Sequence, residues 1–188
     1  MKGINVIGYF QGRLGLGETA RLIVSSLEKQ SIPFALVSAD FVAPHHSKMA
    51  SPYVCDDECK YPINLFCLGQ EDIPFFIQSK GQKYAKGRYN ICLFFWETNV
   101  IPKDILKKIS HFDEIWVMSH YIQESLSAAT SVPVYHIPFP IRYEQHGLFD
   151  KASYGLRDKY TFLFCFDFYG IFQRKNPLAI VRAFQKAE

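Results

Sequence analysis

Nowhere in the 188 residues does an apolar run approach the roughly 20 residues that a membrane-spanning helix needs. The apolar stretch within the opening MKGINVIGYF is too short for a secretory signal and soon meets glycines and an Arg. Blocks of like charge are missing too. Lys and Arg number 21 against 18 Asp and Glu, a net charge of +3, and the cations are scattered. That leaves no electrostatic footprint for duplex nucleic acid, although a small anionic ligand stays compatible. Cysteine is sparse and odd in number, which excludes a closed disulfide framework. Cys67, Cys92 and Cys165 fall inside apolar runs, where a thiol behaves as a small hydrophobe. Cys55 and Cys59, in CDDECK, have no matching Cys or His pair at zinc spacing and read as part of a polar surface loop, not a metal site. Together these absences predict a protein of a reducing, cytoplasmic compartment. There is no internal repeat and no low-complexity tract.

Apolar side chains, by contrast, are abundant. They make up 48% of the chain, with 17 Phe and 11 Tyr, which is ample for a filled core and excludes a disordered chain. Their pattern alternates between short strand-like runs and helical ones. INVIGYF reads as a strand, and GETARLIVSSLEKQ follows with Ala20, Ile23, Val24 and Leu27 on one helical face. PFALVS is a second strand. A Pro-, His- and acid-rich surface excursion runs from about Asp40 to Tyr61. Then come the strand INLFCL, a helix in EDIPFFIQSKG, the strand YNICLFFW, a short helix around PKDILKKI, the strand EIWVMS, the helix HYIQESLSAA and the strand PVYHIPF. Strands apolar on both faces and separated by helices predict an α/β fold, a Rossmann-like doubly wound parallel sheet, over residues 1–141. A polar linker covers 142–159. At 160–188 a fresh buried strand, YTFLFCFDF, leads to a helix with Asn176 as N-cap and Pro177 in its first position. The apolar stripe Leu178, Val181 and Phe184 on that helix predicts a second domain begun and cut short, packing against the first domain or self-associating.

Two stretches carry chemistry. In GYFQGRLGLGETAR a strand passes through glycines into a helix, where unpaired N–H groups and the positive end of the helix dipole make an anion site. Gly15 and Gly17 allow close backbone approach; a plain tight connection needing positive φ explains the glycines equally well. Gly15, Gly17 and Ala20 also fit the G-x-G-x-x-A dinucleotide fingerprint, with Asp40 ending the second strand where a ribose-binding acid belongs. That reading makes the chain an NAD-dependent oxidoreductase, but the inserted QGRL delays the fingerprint beyond its usual place directly after the strand. The second stretch is FQRKNP, where Arg174 and Lys175 precede a helix start; such a pair binds phosphate or is a solvated basic turn.

Taken in order, INVIGYFQGRLGLGETAR, YNICLFFWET, FDEIWVMSHYIQESL, PVYHIPFP and FLFCFDFYGIFQRKNPLAIVRAF resemble the pattern of glycosyltransferase family 4 over nearly the whole chain. The resemblance implies the GT-B architecture: an N-terminal Rossmann-like domain on the acceptor side and a second one, here truncated, that binds the donor. It implies retaining transfer of a sugar from a nucleotide-diphosphate donor to a glycan or lipid-linked acceptor, as in surface polysaccharide synthesis. No cofactor and no metal are implied, the nucleotide sugar being the substrate. Gly15 and Gly17 match the family's glycine loop over the donor diphosphate. Lys175 matches its basic diphosphate ligand, with Arg174 assisting. A further Arg found in many relatives several residues earlier is not matched, the position falling at or near Tyr169. The remaining expectations are no nucleic-acid partner, an open question of peripheral membrane association, and weak nucleotide binding by these residues alone. A third reading is a non-catalytic module that binds a phosphorylated sugar or a partner protein.

Among carboxylates Glu97 is the catalytic candidate, because strand C-termini in α/β sheets face the ligand crevice; a capping or solvated glutamate is the plainer account. Trp96 reads as a sugar-stacking platform or a core aromatic. Ser119 caps the helix after EIWVM, and Glu18 favours the dipole of the first helix. The six histidines show no ligand spacing and are assigned no chemistry.

Overall fold

The computed structural model describes residues 2–42, 50–141, 147, 150–156, 159–166, 168 and 171–187. The chain divides into two compact units, Met1–Tyr143 and Glu144–Glu188. The first unit is a six-stranded, all-parallel sheet. Its strands are β1 (Ile4–Gly8), β2 (Phe34–Ser38), β3 (Ile63–Cys67), β4 (Tyr89–Phe94), β5 (Glu114–Val117) and β6 (Val134–His136), in the spatial order β2-β1-β3-β4-β5-β6. The helices are α1 (Gly15–Lys29), α2 (Asp72–Lys80), α3 (Lys103–Ile109) and α4 (His120–Ser127).

Strand side chains alternate between faces, and each face has its own core. Ile7, Phe66, Cys92 and Ile115 project to the face covered by Ile73 and Phe76 of α2, Ile105 and Ile109 of α3, and Ile122 and Leu126 of α4. Val6, Leu65 and Ile91 project to the other face, against Ala20, Ile23 and Val24 of α1. With helices on both faces of a parallel sheet, the domain is Rossmann-like and doubly wound. The run INVIGYF stops as a strand at Gly8, yet Tyr9 and Phe10 stay fully buried, which explains why the apolar run continues past the strand end.

The core also holds three asparagines in register, with Asn5 paired to Asn64 and Asn64 to Asn90. The Asn5 amide donates to Asn64 Oδ1 at 2.8 Å, and Asn64 donates to Asn90 Oδ1 at 2.8 Å and to the Tyr84 carbonyl at 2.6 Å. Asn5 Oδ1 accepts from the amides of Lys60 and Tyr61, tying the chain's arrival at β3 to the start of β1.

Part of the excursion, residues 43–49, lies outside the described residues. Its later part runs along the outer edge of β2, where Asp56 exchanges bonds with both backbone groups of Leu36 and so covers an otherwise open strand edge. Cys55 and Cys59 lie in this loop, half-buried against the core. Burial pushes both thiols up to about 11, Cys55 further through Asp40 and Asp56. Burial likewise raises Cys92 to about 12, so all three stay protonated at neutral pH.

The second unit differs from the sequence expectation. Residues 159–166 form no strand, and Tyr160, Phe162 and Leu163 are 86%, 74% and 86% exposed. A parallel strand must hand its N–H and C=O groups to neighbours, and the described residues of this unit include none. The rings pair with each other instead, Phe166 with Phe164 and Phe168 at 5.7 and 4.6 Å. A short helix α5 (Phe172–Lys175) then precedes α6 (Pro177–Ala187). Pro177 opens α6 as expected, but Asn176 is left-handed, with φ 49° and ψ 47°, and closes α5. Leu178, Val181 and Phe184 stand about half exposed along α6.

Candidate functional site

The chain leaves β1 for β2 on one side and returns to β3 on the other, so β1 marks the switch point of the sheet. Ligands of open α/β sheets bind outside the strand C-termini at such a point. The loop that leaves Gly8 there is held from three directions. From the turn after β2, Asp40 Oδ1 accepts the amides of Gln11 at 3.0 Å and Gly12 at 2.9 Å, while its Oδ2 accepts the Ser38 hydroxyl at 2.6 Å. From α1, Arg21 Nη1 donates to the carbonyls of Tyr9, Phe10 and Gly12 at 3.2–3.4 Å, and Glu18 grips the same guanidinium at 2.9 Å. Beside β3, the Tyr9 phenol donates to Asp72 and accepts the Gly69 amide at 3.4 Å. Burial first, and then Asp72, raise the pKa of Tyr9, so its proton stays in place.

This pinned loop delivers α1 to the C-terminal edge with its first turn open. Leu14 occupies the N-cap in an extended conformation and supplies no side-chain bond. The amides of Gly15, Leu16 and Gly17 have no intrahelical acceptor by construction. The two glycines differ in what they permit. A Cβ on Gly15 would meet nothing within 4 Å, whereas one on Gly17 would lie 2.6 Å from the Tyr9 carbonyl and 2.8 Å from that of Gly12. Gly17 lets the helix press against the loop; Gly15 leaves the mouth clear. Gly15→Ala is therefore expected to change stability by less than about 1 kcal/mol, while Gly17→Ala costs about 1–3 kcal/mol through overpacking against backbone. Paired denaturant titrations check this, and equal midpoints for the two variants would contradict it.

Farther along the same edge, Gln70 donates to the Phe95 carbonyl at 2.9 Å and joins the ends of β3 and β4. Trp96 stacks on Phe94 and gives its indole N–H to Thr98 Oγ1 and the Val100 carbonyl, both at 2.9 Å. It thereby braces the loop in which Glu97 stands exposed. Glu97 makes no hydrogen bond or ion pair among the described residues. Two ladder spacings, roughly 10 Å, separate β1 from β4. Ser119 caps α4 as expected, accepting the Ile122 amide at 3.3 Å.

One pair on this edge escapes sequence reading. His120, the first residue of α4, and His136, the last of β6, bring their rings to 3.9 Å between centroids. The register Val117↔His136 carries the signal: a residue just past β5 must meet the end of its parallel neighbour. No group of three or more His, Cys, Asp or Glu that could hold a metal occurs among the described residues. Arg174 and Lys175 belong to the second unit, in the last turn of α5, directly before the turn that starts α6; Arg174 is exposed and Lys175 half-buried.

No family model matches the chain, and no curated protein does. Among the described residues no helix is long and apolar enough to cross a membrane.

Proposed function

We propose that the chain is the acceptor-side domain, with the beginning of the donor-side domain, of a retaining glycosyltransferase that uses a nucleotide-diphosphate sugar. The observation that supports this best is the open first turn of α1, fixed at the switch point by Asp40 and Arg21 and left unobstructed at Gly15. In this reading the Gly15 turn and the Arg174–Lys175 pair are the diphosphate-binding groups. When the sugar leaves, negative charge grows on the diphosphate, and donors already aimed at those oxygens stabilise the transition state more than the ground state. Glu97 contacts the sugar or its acceptor.

Asp40 weighs against the dinucleotide reading, because both of its oxygens are engaged in holding the loop and its neighbours. The test is hydrolysis or transfer over a panel of nucleotide sugars, with protein carrying both domains and with NAD as a parallel ligand. Turnover of one donor is expected. Protection from heat by NAD without turnover would favour the oxidoreductase, and binding of a sugar nucleotide without transfer to any acceptor would favour the non-catalytic module.

A further inference from the structure

Helices α2 and α3 lie on the same face of the sheet, and between them lies a cavity of about 970 Å³ that reaches from Ile73 and Asp104, at their first turns, to Lys86 and His111, past their last. Phe66, Ile73, Ile77 and Phe112 line its depth, with Phe66 and Phe112 meeting edge to face at 5.3 Å. Asn90 also reaches the wall, but its amide donates to the carbonyls of Ala85 and Arg88 and its oxygen accepts from Asn64. Gln78 and Gln82 also line the cavity but are exposed, so with the Asn90 amide satisfied the buried part of the wall is apolar. The ionisable residues of the lining lie on its solvent side: Lys86, Asp104, Lys107 and His111 are exposed and Lys108 is half-buried. Glu71 engages Lys108, while Lys86 and Lys107 have no ion-pair partner among the described residues.

We propose that this cavity binds a monoanionic amphiphile, an unbranched aliphatic chain ending in a carboxylate, with the chain on the Phe66–Phe112 floor and the carboxylate between Lys86 and Lys107. The volume falls in the range of clefts that accept a small organic ligand, about 300–1,000 Å³. A sugar or a nucleotide would lose hydration in such a depth without gaining partners, whereas methylenes lose nothing. The choice of head group follows from charge. With Lys108 neutralised by Glu71, two free ammonium groups against Asp104 leave an excess of one positive charge. Lysines suit this position because their stems cover apolar wall while the ammonium stays at the mouth. Beyond the sheet they share, this cavity and the Gly15 edge have no residue in common, so this site and the sugar-transfer reading stand or fall separately.

Fluorescence titration with dansylaminoundecanoic acid tests the proposal on the whole chain. Saturable binding at one site is expected, displaced by dodecanoate but not by acetate or dodecylammonium. Lys86→Glu combined with Lys107→Glu should weaken binding at least about tenfold, a loss of about 1.4 kcal/mol. Ala85→Trp, which fills the cavity, should abolish it. The charge-reversal pair changes exposed residues only, so it should still fold, with at most the small loss that a carboxylate in the last turn of α3 costs, and it remains informative if Ala85→Trp fails to fold. Three results would each overturn the proposal: no saturable signal, displacement by dodecylammonium as effective as by dodecanoate, or unaltered binding by a normally folded charge-reversal variant. Association with anionic phospholipid vesicles in the absence of probe binding would overturn it as well.

Discussion

Replacing Lys175 with alanine is expected to lower kcat/KM for sugar transfer about 10²- to 10³-fold in protein carrying both domains, a loss of about 3–4 kcal/mol of transition-state stabilisation. The size follows from the role proposed for the ammonium group: it faces charge that is small in the bound donor and large as the diphosphate departs. The fall should therefore appear in kcat as well as in kcat/KM. Stability should change little, because the structural bond made by this residue is its backbone amide to the Ile171 carbonyl at 3.1 Å, which alanine keeps. Arginine at this position should restore only part of the activity, since its planar fork presents charge differently from a compact ammonium. Turnover unchanged in Lys175→Ala would remove the donor-site assignment.

The second large effect concerns the fold. Asn64→Leu, nearly isosteric, is expected to destabilise the first unit by about 3 kcal/mol, read as a lower denaturant midpoint at unchanged slope. Asn64 is fully buried and links three strands through its bonds to Asn5, Asn90 and the Tyr84 carbonyl. Leucine would leave the Asn90 oxygen and the Tyr84 carbonyl facing a methyl group, and a buried acceptor without a donor costs about 1–3 kcal/mol. Asn5 would suffer less, because its amide also reaches the carbonyls of Tyr61 and Ile63. A loss below about 1 kcal/mol would show that the ladder is incidental to stability.

The sheet was legible because a parallel strand buried on both faces is apolar at most positions, and INVIG, FALVS, INLFC and YNICLF declare themselves in that way. Even the asparagine ladder left a trace. Asn stands second in three of these strands, and strands in register bring such residues side by side. The same rule misled at YTFLFCFDF, where apolar content predicts burial but ladder partners decide whether a strand forms. At the candidate site the glycines and Ser119 could be read locally. Asp40 and Arg21 could not: their work is to hold a loop 28 and 9 residues away, respectively, at Gly12, and nothing local to either residue announces a target. The same holds for His120 with His136 and for the cavity between α2 and α3, which exist only once separate segments are brought together.

If the open first turn of α1 holds a diphosphate, as proposed, its backbone amides report on it directly. In protein carrying both domains and labelled with ¹⁵N, titration with UDP or GDP should move the amide resonances of Gly15 and Leu16 most within residues 2–42, with little change at those of Gly3 and Gly8. If both nucleotides bind while the Gly15 and Leu16 amides stay fixed, the turn does not hold the diphosphate and the account of this site is wrong.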